Sequence, residues 1–374
     1  MKILHLIYSQ QVAGAEKYLM DLLPGLKIAG IECELICVTT EKDKNNFTEF
    51  CKELKQNKIP STIITGDIKD FLSIAGKINK YLKKNNIHYL HSHLFKSDLL
   101  AVMVKKVFNR KLFLLSTKHG YDENYLNSFN IHKGGIVRNK YYAIARYVTK
   151  NIDANITISK AMAELYYNLR LTKREMSFIH HGIKQKEIDD AIKPVASPQL
   201  IIVGRLEEMK GHTYLLDAMP LVIEKYPSTK LLLLGNGTQR MHLEEKAKHM
   251  GIMENLSFMG FQKNPYSHMA NSDVIILPSL YEPFGLVYIE SFALKTPVVA
   301  FNAQAANEII DNNETGILVP LYDSTALAEK IIFLLNSPWE RKRIADNAYQ
   351  KFENHFNINR MVAETASWYR SILK

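Results

Sequence analysis

Cysteine is scarce in this chain of 374 residues: Cys33, Cys37 and Cys51 are an odd set of three, with no CxxC pair and no histidine at zinc-finger spacing. That excludes a disulfide framework and a structural zinc site, and it fits a reducing cytoplasm. Long apolar runs are missing too. No segment approaches the length that crosses a bilayer, and the opening MKILHLIYS is too short an apolar stretch for a signal peptide, so a soluble cytoplasmic protein is expected. Internal repeats and low-complexity tracts are absent.

What is present is core-forming material and an uneven charge. With 47% hydrophobic residues, a chain of this length exceeds what one core sustains, so two domains are expected. Residues 1–193 hold 31 Lys and Arg against 19 Asp and Glu, net +12, and residues 194–374 hold 17 against 19, net −2, which sum to +10. The first half therefore wants an anionic partner, a phosphorylated substrate or an anionic membrane surface. No RNA- or DNA-binding motif accompanies the charge, so nucleic acid is not expected.

Both halves alternate strand and helix. KILHLIY, ECELICV, STIIT, HYLHSH, KLFLLST and NITIS read as strands, with helical spacing between them, as in AEKYLMDLLPGLKIAG. After Lys193 the stretch PVASP reads as a linker, and a second series follows: QLIIVG, KLLLLG, LSFMG, DVIILP, TPVVAF and GILVP. This is the rhythm of two parallel sheets wrapped by helices, an α/β architecture of two Rossmann-like domains. The expected boundaries are residues 1–193, residues 194–355, and a final helix over residues 356–374 that packs back on the first domain. Ligands of such sheets bind beyond the carboxyl ends of the strands, so the loops there hold the informative residues, and two such domains would face each other across a cleft.

GRLEEMKGH follows the strand QLIIV. Its Arg205 and Lys210 enter a helix beginning near Gly211 or His212, where two cations and free backbone N–H groups would converge on an anion such as a diphosphate; the alternative is a solvated loop. In LLLLGNGTQR, Gly235 and Gly237 would let backbone approach a ligand, although a tight strand-to-helix turn uses glycine anyway. In SLYEPFGLVYIE, Pro283 suits the first turn of a helix from about Phe284 to Lys295, with Glu282 at its mouth. Backbone N–H groups of Phe284, Gly285 and Leu286 would then stabilise negative charge. Glu290 lies among apolar residues, where an ionised group needs a partner.

EPFGLVYIE, with GRLEEMKG before it and VAGAEKYLMDL near the N-terminus, resembles the retaining nucleotide-sugar glycosyltransferases of family 4, which have the GT-B fold. The resemblance covers nearly the whole chain. It implies a nucleotide-sugar donor held mainly by the second domain and an acceptor held mainly by the first. Carried onto this sequence, it makes Arg205 and Lys210 hold the donor diphosphate, Glu282 the hydroxyls of the transferred sugar, and Glu290 the ribose hydroxyls. Phe284 to Leu286 would line sugar and phosphate by their backbone, and Met259, Gly260 and Phe261 would lie near the base. Gly14 would approach the phosphates or the acceptor; Ala13 stands where family members often carry a further glycine. His119, in STKHGYDEN, matches a family histidine that faces the donor sugar. His181 precedes Gly182 where the family commonly has asparagine, and it receives no catalytic role.

No Asp-x-Asp triplet occurs, so no metal is expected to clamp the leaving diphosphate, and Arg205, Lys210 and the helix N-terminus would neutralise it. The expected reaction is metal-independent, retaining transfer of a hexose or N-acetylhexosamine from a UDP- or GDP-sugar to a hydroxyl of a glycan or lipid-linked acceptor. No cofactor is expected. The alternatives are a GT-B epimerase or hydrolase of nucleotide sugars, or a non-catalytic module that binds anionic surfaces. HKGGIVRNKYYAIARYVTKNIDA sets Arg138, Lys140, Arg146 and Lys150 among Tyr141, Tyr142 and Tyr147, a pattern open to peripheral contact with anionic headgroups or to ordinary packing on its own domain.

Overall fold

The computed structural model describes residues 1–120, 139–173, 176–185, 188 and 197–373. Arg138, and Pro194 to Ala196 of the expected linker, lie outside the described residues. The chain divides into two compact units, residues 1–182 with 358–374, and residues 183–357.

The first unit is built on a seven-stranded sheet. Its strands are β1 (Lys2–Tyr8), β2 (Glu32–Thr39), β3 (Ser61–Thr65), β4 (Tyr89–His93), β5 (Phe113–Lys118), β6 (Ala154–Thr157) and β7 (Ser177–Phe178), in the order β3-β2-β1-β4-β5-β6-β7. Every pairing is parallel. The strands read as near-continuous apolar runs because helices cover both faces of the sheet. On one face Leu4, Leu6, Ile36, Ile74 and Leu100 are buried together; on the other, Ile3, Ile7, Leu35, Leu19 and Leu22 form a second core with Met361 and Tyr369. The last two belong to the helix Ile358–Ile372, which packs on the helix Gly14–Ile28 as the sequence implied. The approach is close: a Cβ on Gly25 would stand 2.4 Å from Val362 Cγ2.

The second unit holds β8 (Gln199–Val203), β9 (Lys230–Leu234), β10 (Leu256–Gly260), β11 (Val274–Leu277), β12 (Val298–Phe301) and β13 (Ile317–Val319), all parallel, in the order β10-β9-β8-β11-β12-β13. All twelve strands read from the sequence are present; among the described residues, the two-residue β7 is the one strand not foreseen. The division between units falls after Gly182 rather than after Lys193. Ile183 already belongs to the second unit, donating its N–H to Phe356 O and bridging to Asn357. No described helix is long and apolar enough to cross a membrane.

In the helix Lys140–Lys150, Asn139 caps the N-terminus by accepting from Tyr142 N. Of the three tyrosines that the sequence pattern grouped, Tyr142 is buried, whereas Tyr141 and Tyr147, with Ile144, are exposed. Their three-residue spacing puts those three on one side of the helix.

Candidate functional site

In the second unit the strand order reverses direction between β8 and β11, and a doubly wound sheet places its binding crevice at that point. The loops after these two strands are joined: Leu280 N donates to Met209 O at 2.8 Å. The β8 loop continues through a single turn, Glu208–Lys210, and Gly211 then caps the helix His212–Lys225. Lys210 Nζ lies 2.6 Å from Glu282 Oε2, and both side chains are largely withdrawn from solvent. The expected cation and the expected sugar-binding carboxylate are thus brought together as an ion pair. An ammonium has three donors, so Lys210 retains hydrogens for a second anion. Arg205 is exposed and, among the described residues, makes no ion pair.

Glu282 is held from a second side, which the sequence did not reveal. Its backbone N–H donates to Gln304 Oε1 at 3.1 Å, and Gln304 itself has a left-handed backbone, φ 37°. The helix expected from Phe284 to Lys295 is shorter, Leu286–Ala293, because Gly285 takes φ 90° and becomes its cap. Pro283 therefore precedes the helix instead of occupying its first turn. Phe284 turns its ring into the core, 6.2 Å from that of Phe356, which leaves only its backbone for a ligand. Glu290 is buried in this helix, and its partner is the Tyr266 hydroxyl, 3.1 Å from Oε1.

The glycines of the β9 loop serve the protein's own backbone. A Cβ on Gly235 would lie 1.9 Å from Gly204 O, and one on Gly237 would lie 2.3 Å from Leu206 O. Gly204 N donates to Leu234 O and Leu206 N to Asn236 O, so the β8 and β9 loops are zipped together beside Arg205. Glu207 reinforces the seam by accepting from Thr238 N and Thr238 Oγ1. At the end of β10, Gly260 has φ 67° and Phe261 is 76% exposed, a free aromatic face next to the seam.

In the first unit Gly14 is the exposed first residue of the helix Gly14–Ile28. The buried Glu16 accepts from Ala13 N at 2.8 Å, and burial pushes its carboxyl upward. His119 stands just past β5, half-buried, with Nε2 3.0 Å from His93 Nδ1. His93 Nε2 is in turn 3.0 Å from His5 Nδ1, and the Tyr18 ring meets His119 edge-on at 4.9 Å. Burial holds the imidazoles of His5 and His119 down to about 3, and those of His91 and His93 well below their ordinary value. The sequence showed His119 but not the series behind it, because the alternation that puts His91 and His93 on one face of β4 links them to His5 only through the β1–β4 pairing.

Nitrogen atoms of His5, His91 and His93 come within 4.8 Å of one another, the one described group of three with metal-ligand chemistry. The rings are stacked, at 19° to 30°, so their in-plane lone pairs run side by side and do not converge on a tetrahedral centre. His91 is also fully engaged, with Nδ1 on Tyr369 Oη and Nε2 on Thr117 Oγ1. The set fits hydrogen bonding better than it fits an ion.

Comparison with known proteins bears on the family and the fold. The family model described as Glycosyltransferase Family 4 matches residues 12–187, and that described as Glycosyl transferases group 1 matches residues 183–351. The chain is 29% identical over 234 residues to an uncharacterized glycosyltransferase of Methanocaldococcus jannaschii, covering 58% of this chain and 59% of that protein. It is 29% identical over 245 residues to a glycogen synthase of Mycobacterium tuberculosis, covering 63% and 58%. The chain thus spans just under three-fifths of the length of these two relatives. Among solved structures, Anabaena Alr3699/HepE in complex with UDP-glucose superimposes with a TM-score of 0.80 at 20% identity, over 100% of both chains. A Rickettsia africae glycosyltransferase does so with 0.80 at 22%, over 100% of this chain and 98% of that one. With the two family models together running from residue 12 to residue 351, the chain belongs to the family 4 glycosyltransferases and has their GT-B fold.

Proposed function

We propose that the protein transfers a hexose or N-acetylhexosamine, with retention of configuration and without a metal, from a nucleotide-diphosphate sugar to a hydroxyl of a glycan or lipid-linked acceptor. The observation that carries this reading is the Lys210–Glu282 ion pair, held by loops from adjoining strand ends at the reversal of the second sheet. Arg205, on the same loop as Lys210, is the cation free to meet a diphosphate, and the spare donors of Lys210 join it. Glu282, oriented by Lys210, accepts hydrogen bonds from sugar hydroxyls. Glu290 does the same for the ribose, with Tyr266 fixing its carboxylate.

In the reaction the bond from the anomeric carbon to the phosphate oxygen breaks and the electron pair leaves with the diphosphate. The acceptor oxygen bonds to the same face of the sugar, and its proton passes to the departing phosphate oxygen. Charge builds on the phosphate as the sugar gains oxocarbenium character, so fixed cations stabilise the transition state more than the ground state. Glu282 is not assigned as a nucleophile, since same-face attack, with the departing phosphate taking the acceptor's proton, needs no covalent intermediate. The UDP-glucose complex of the Anabaena protein supports a uridine donor as the first to try.

Thermal-shift screening of UDP- and GDP-sugars, followed by product analysis with and without EDTA, tests the reading. Stabilisation by one nucleotide sugar and EDTA-resistant transfer to an added acceptor are expected. Release of free sugar or an epimer from donor alone would assign the chain to hydrolysis or epimerisation instead, and stabilisation by no nucleotide sugar would point to a binding module.

The exposed Tyr141, Ile144 and Tyr147, beside Lys140, Arg146 and Lys150, support peripheral contact with the anionic face of a cytoplasmic membrane, where a lipid-linked acceptor would reside. Co-sedimentation with vesicles containing phosphatidylserine at low salt checks this. Loss of binding in Tyr147→Ser supports it, and no sedimentation of the unaltered protein sinks it.

A further inference from the structure

Three imidazoles form one hydrogen-bonded file across the first sheet. His5 lies on β1, His93 on β4 and His119 just beyond β5, with Nδ1 of each of the first two 3.0 Å from Nε2 of the next. His5 and His93 are fully buried. The neighbouring polar and titratable groups are His91, stacked on His93 at 4.5 Å, Tyr18 of the helix Gly14–Ile28, Tyr369 of the helix Ile358–Ile372, His181 and Lys118. None of them takes a ring nitrogen of the file. Burial keeps all three imidazoles neutral at pH 7.

A neutral imidazole has one N–H and one lone pair, so the file has only two consistent proton arrangements. In the first, each Nδ1 carries the hydrogen: His5 donates to His93, His93 donates to His119, and His5 Nε2 is a bare lone pair. In the second, each Nε2 carries it, and the hydrogen on His5 Nε2 points into the core. His5 Nε2 has no hydrogen-bond partner. A buried N–H without an acceptor is the rarer defect, an unused lone pair the more common one, so the first arrangement prevails.

We infer that His5 and His93 are positioning residues that hold His119 as a neutral donor, with Nε2 accepting from His93 and the hydrogen on Nδ1. Nδ1 is the ring nitrogen of His119 that has no partner among the described residues. This deepens, and rests on, the proposed transferase reading: the hydrogen on His119 Nδ1 is a donor for a hydroxyl oxygen of a substrate bound by the first unit, and His119 does not take a proton as a base. A base at this place would need its lone pair on Nδ1, and the file puts that lone pair on Nε2.

Long-range ¹H–¹⁵N correlation on the full chain with ¹⁵N-labelled histidine reads the tautomer directly. The Nδ1–H form of His119 is expected in the unaltered protein, and the Nε2–H form overturns the inference. His93→Leu removes the donor, and a mixed tautomer at His119 with about a tenfold loss in kcat/KM is expected; an unchanged tautomer overturns the inference. His93→Gln, whose amide can donate to Nε2, is expected to restore the Nδ1–H form and most of the activity. Should His93→Leu fail to fold, His5→Phe tests the same file from its far end, again by mixing at His119. Because the tautomer is read without substrate, an inactive protein that shows the Nδ1–H form and responds to these variants would count against the transferase reading alone.

Discussion

Gly211 lies so close to Pro278 that a Cβ on it would stand 1.8 Å from the Pro278 carbonyl oxygen, and its backbone is left-handed at φ 69°. The residue between Lys210 and the helix His212–Lys225 therefore has no room for a side chain, and its conformation is one that L-residues avoid. Gly211→Ala must push the β8 loop away from the β11 loop. We expect a loss of at least about 2 kcal/mol in stability, and a larger relative loss of donor binding, because Lys210 moves with the loop. Denaturant unfolding and donor titration measure the two effects; unchanged donor affinity would show that the loop is not the diphosphate site.

The ion pair of Lys210 and Glu282 separates two roles. Glu282→Gln retains the side-chain shape and leaves Lys210 unneutralised, so the diphosphate should still bind while transfer falls by two or more orders of magnitude, of the size seen when one preorganised electrostatic contact is removed. Lys210→Ala should weaken the diphosphate as well as slow the reaction. Full activity of either variant with the natural donor would remove the pair from the mechanism. The split is read from kcat and KM measured separately.

Much of this site was legible in the sequence for a physical reason. Strands of a parallel sheet are buried on both faces and announce themselves as apolar runs, so every such run became a strand, and Arg205, Lys210 and Glu282 could be placed at strand ends. What was not legible depends on contacts between segments far apart in the chain. Gln304 pins Glu282 from the loop after β12, Tyr266 answers the charge of Glu290, and Gly235 makes room for the Gly204 carbonyl, none of which has a local signature. The helix start was misjudged because Pro283 is a strong local signal for a first turn, whereas the left-handed backbone of Gly285 overrides it.

Glu290 and Tyr266 allow a separation of binding from folding. Tyr266→Phe removes the hydroxyl that meets Glu290 Oε1, and a buried carboxylate short of a donor costs about 1–3 kcal/mol. Saturating nucleotide should recover part of that loss, because ribose hydroxyls supply the missing donors. Equal destabilisation with and without nucleotide would mean that Glu290 never meets the ribose.

Away from the second unit's site, Lys118 and Asp98 form a buried pair at 2.6 Å, both side chains 3% exposed. Asp98 Oδ1 also accepts from Ser92 Oγ and Ser116 Oγ, so this one carboxylate ties β4 and β5 to the helix Phe95–Met103. Lys118→Met strands a buried charge and should cost about 3–5 kcal/mol, whereas adding Asp98→Asn should return part of it. Melting temperatures of the single and double variants check this; a double variant no more stable than Lys118→Met would show that the charge itself is not what destabilises.

The buried histidines make stability depend on acid. His5 and His119 are held down to about 3 and His212 to about 4, each chiefly by burial, and His91 and His93 lie well below the ordinary value. The unfolded chain takes up protons on these rings as pH falls through about 6.5, while the folded protein does not until its depressed values are reached. Between those limits the unfolded state binds more protons, so stability rises with pH and is fully present only above about 6.5. Each histidine contributes a slope of about 1.4 kcal/mol per pH unit below that point. Glu16, its carboxyl pushed up by burial, acts in the opposite direction, and one such group does not offset five. The melting temperature should therefore drop steeply from pH 6.5 to pH 5, and His5→Phe should shallow the slope by one histidine's share. A melting temperature level across that range would mean that these rings titrate in the folded protein much as they do in water.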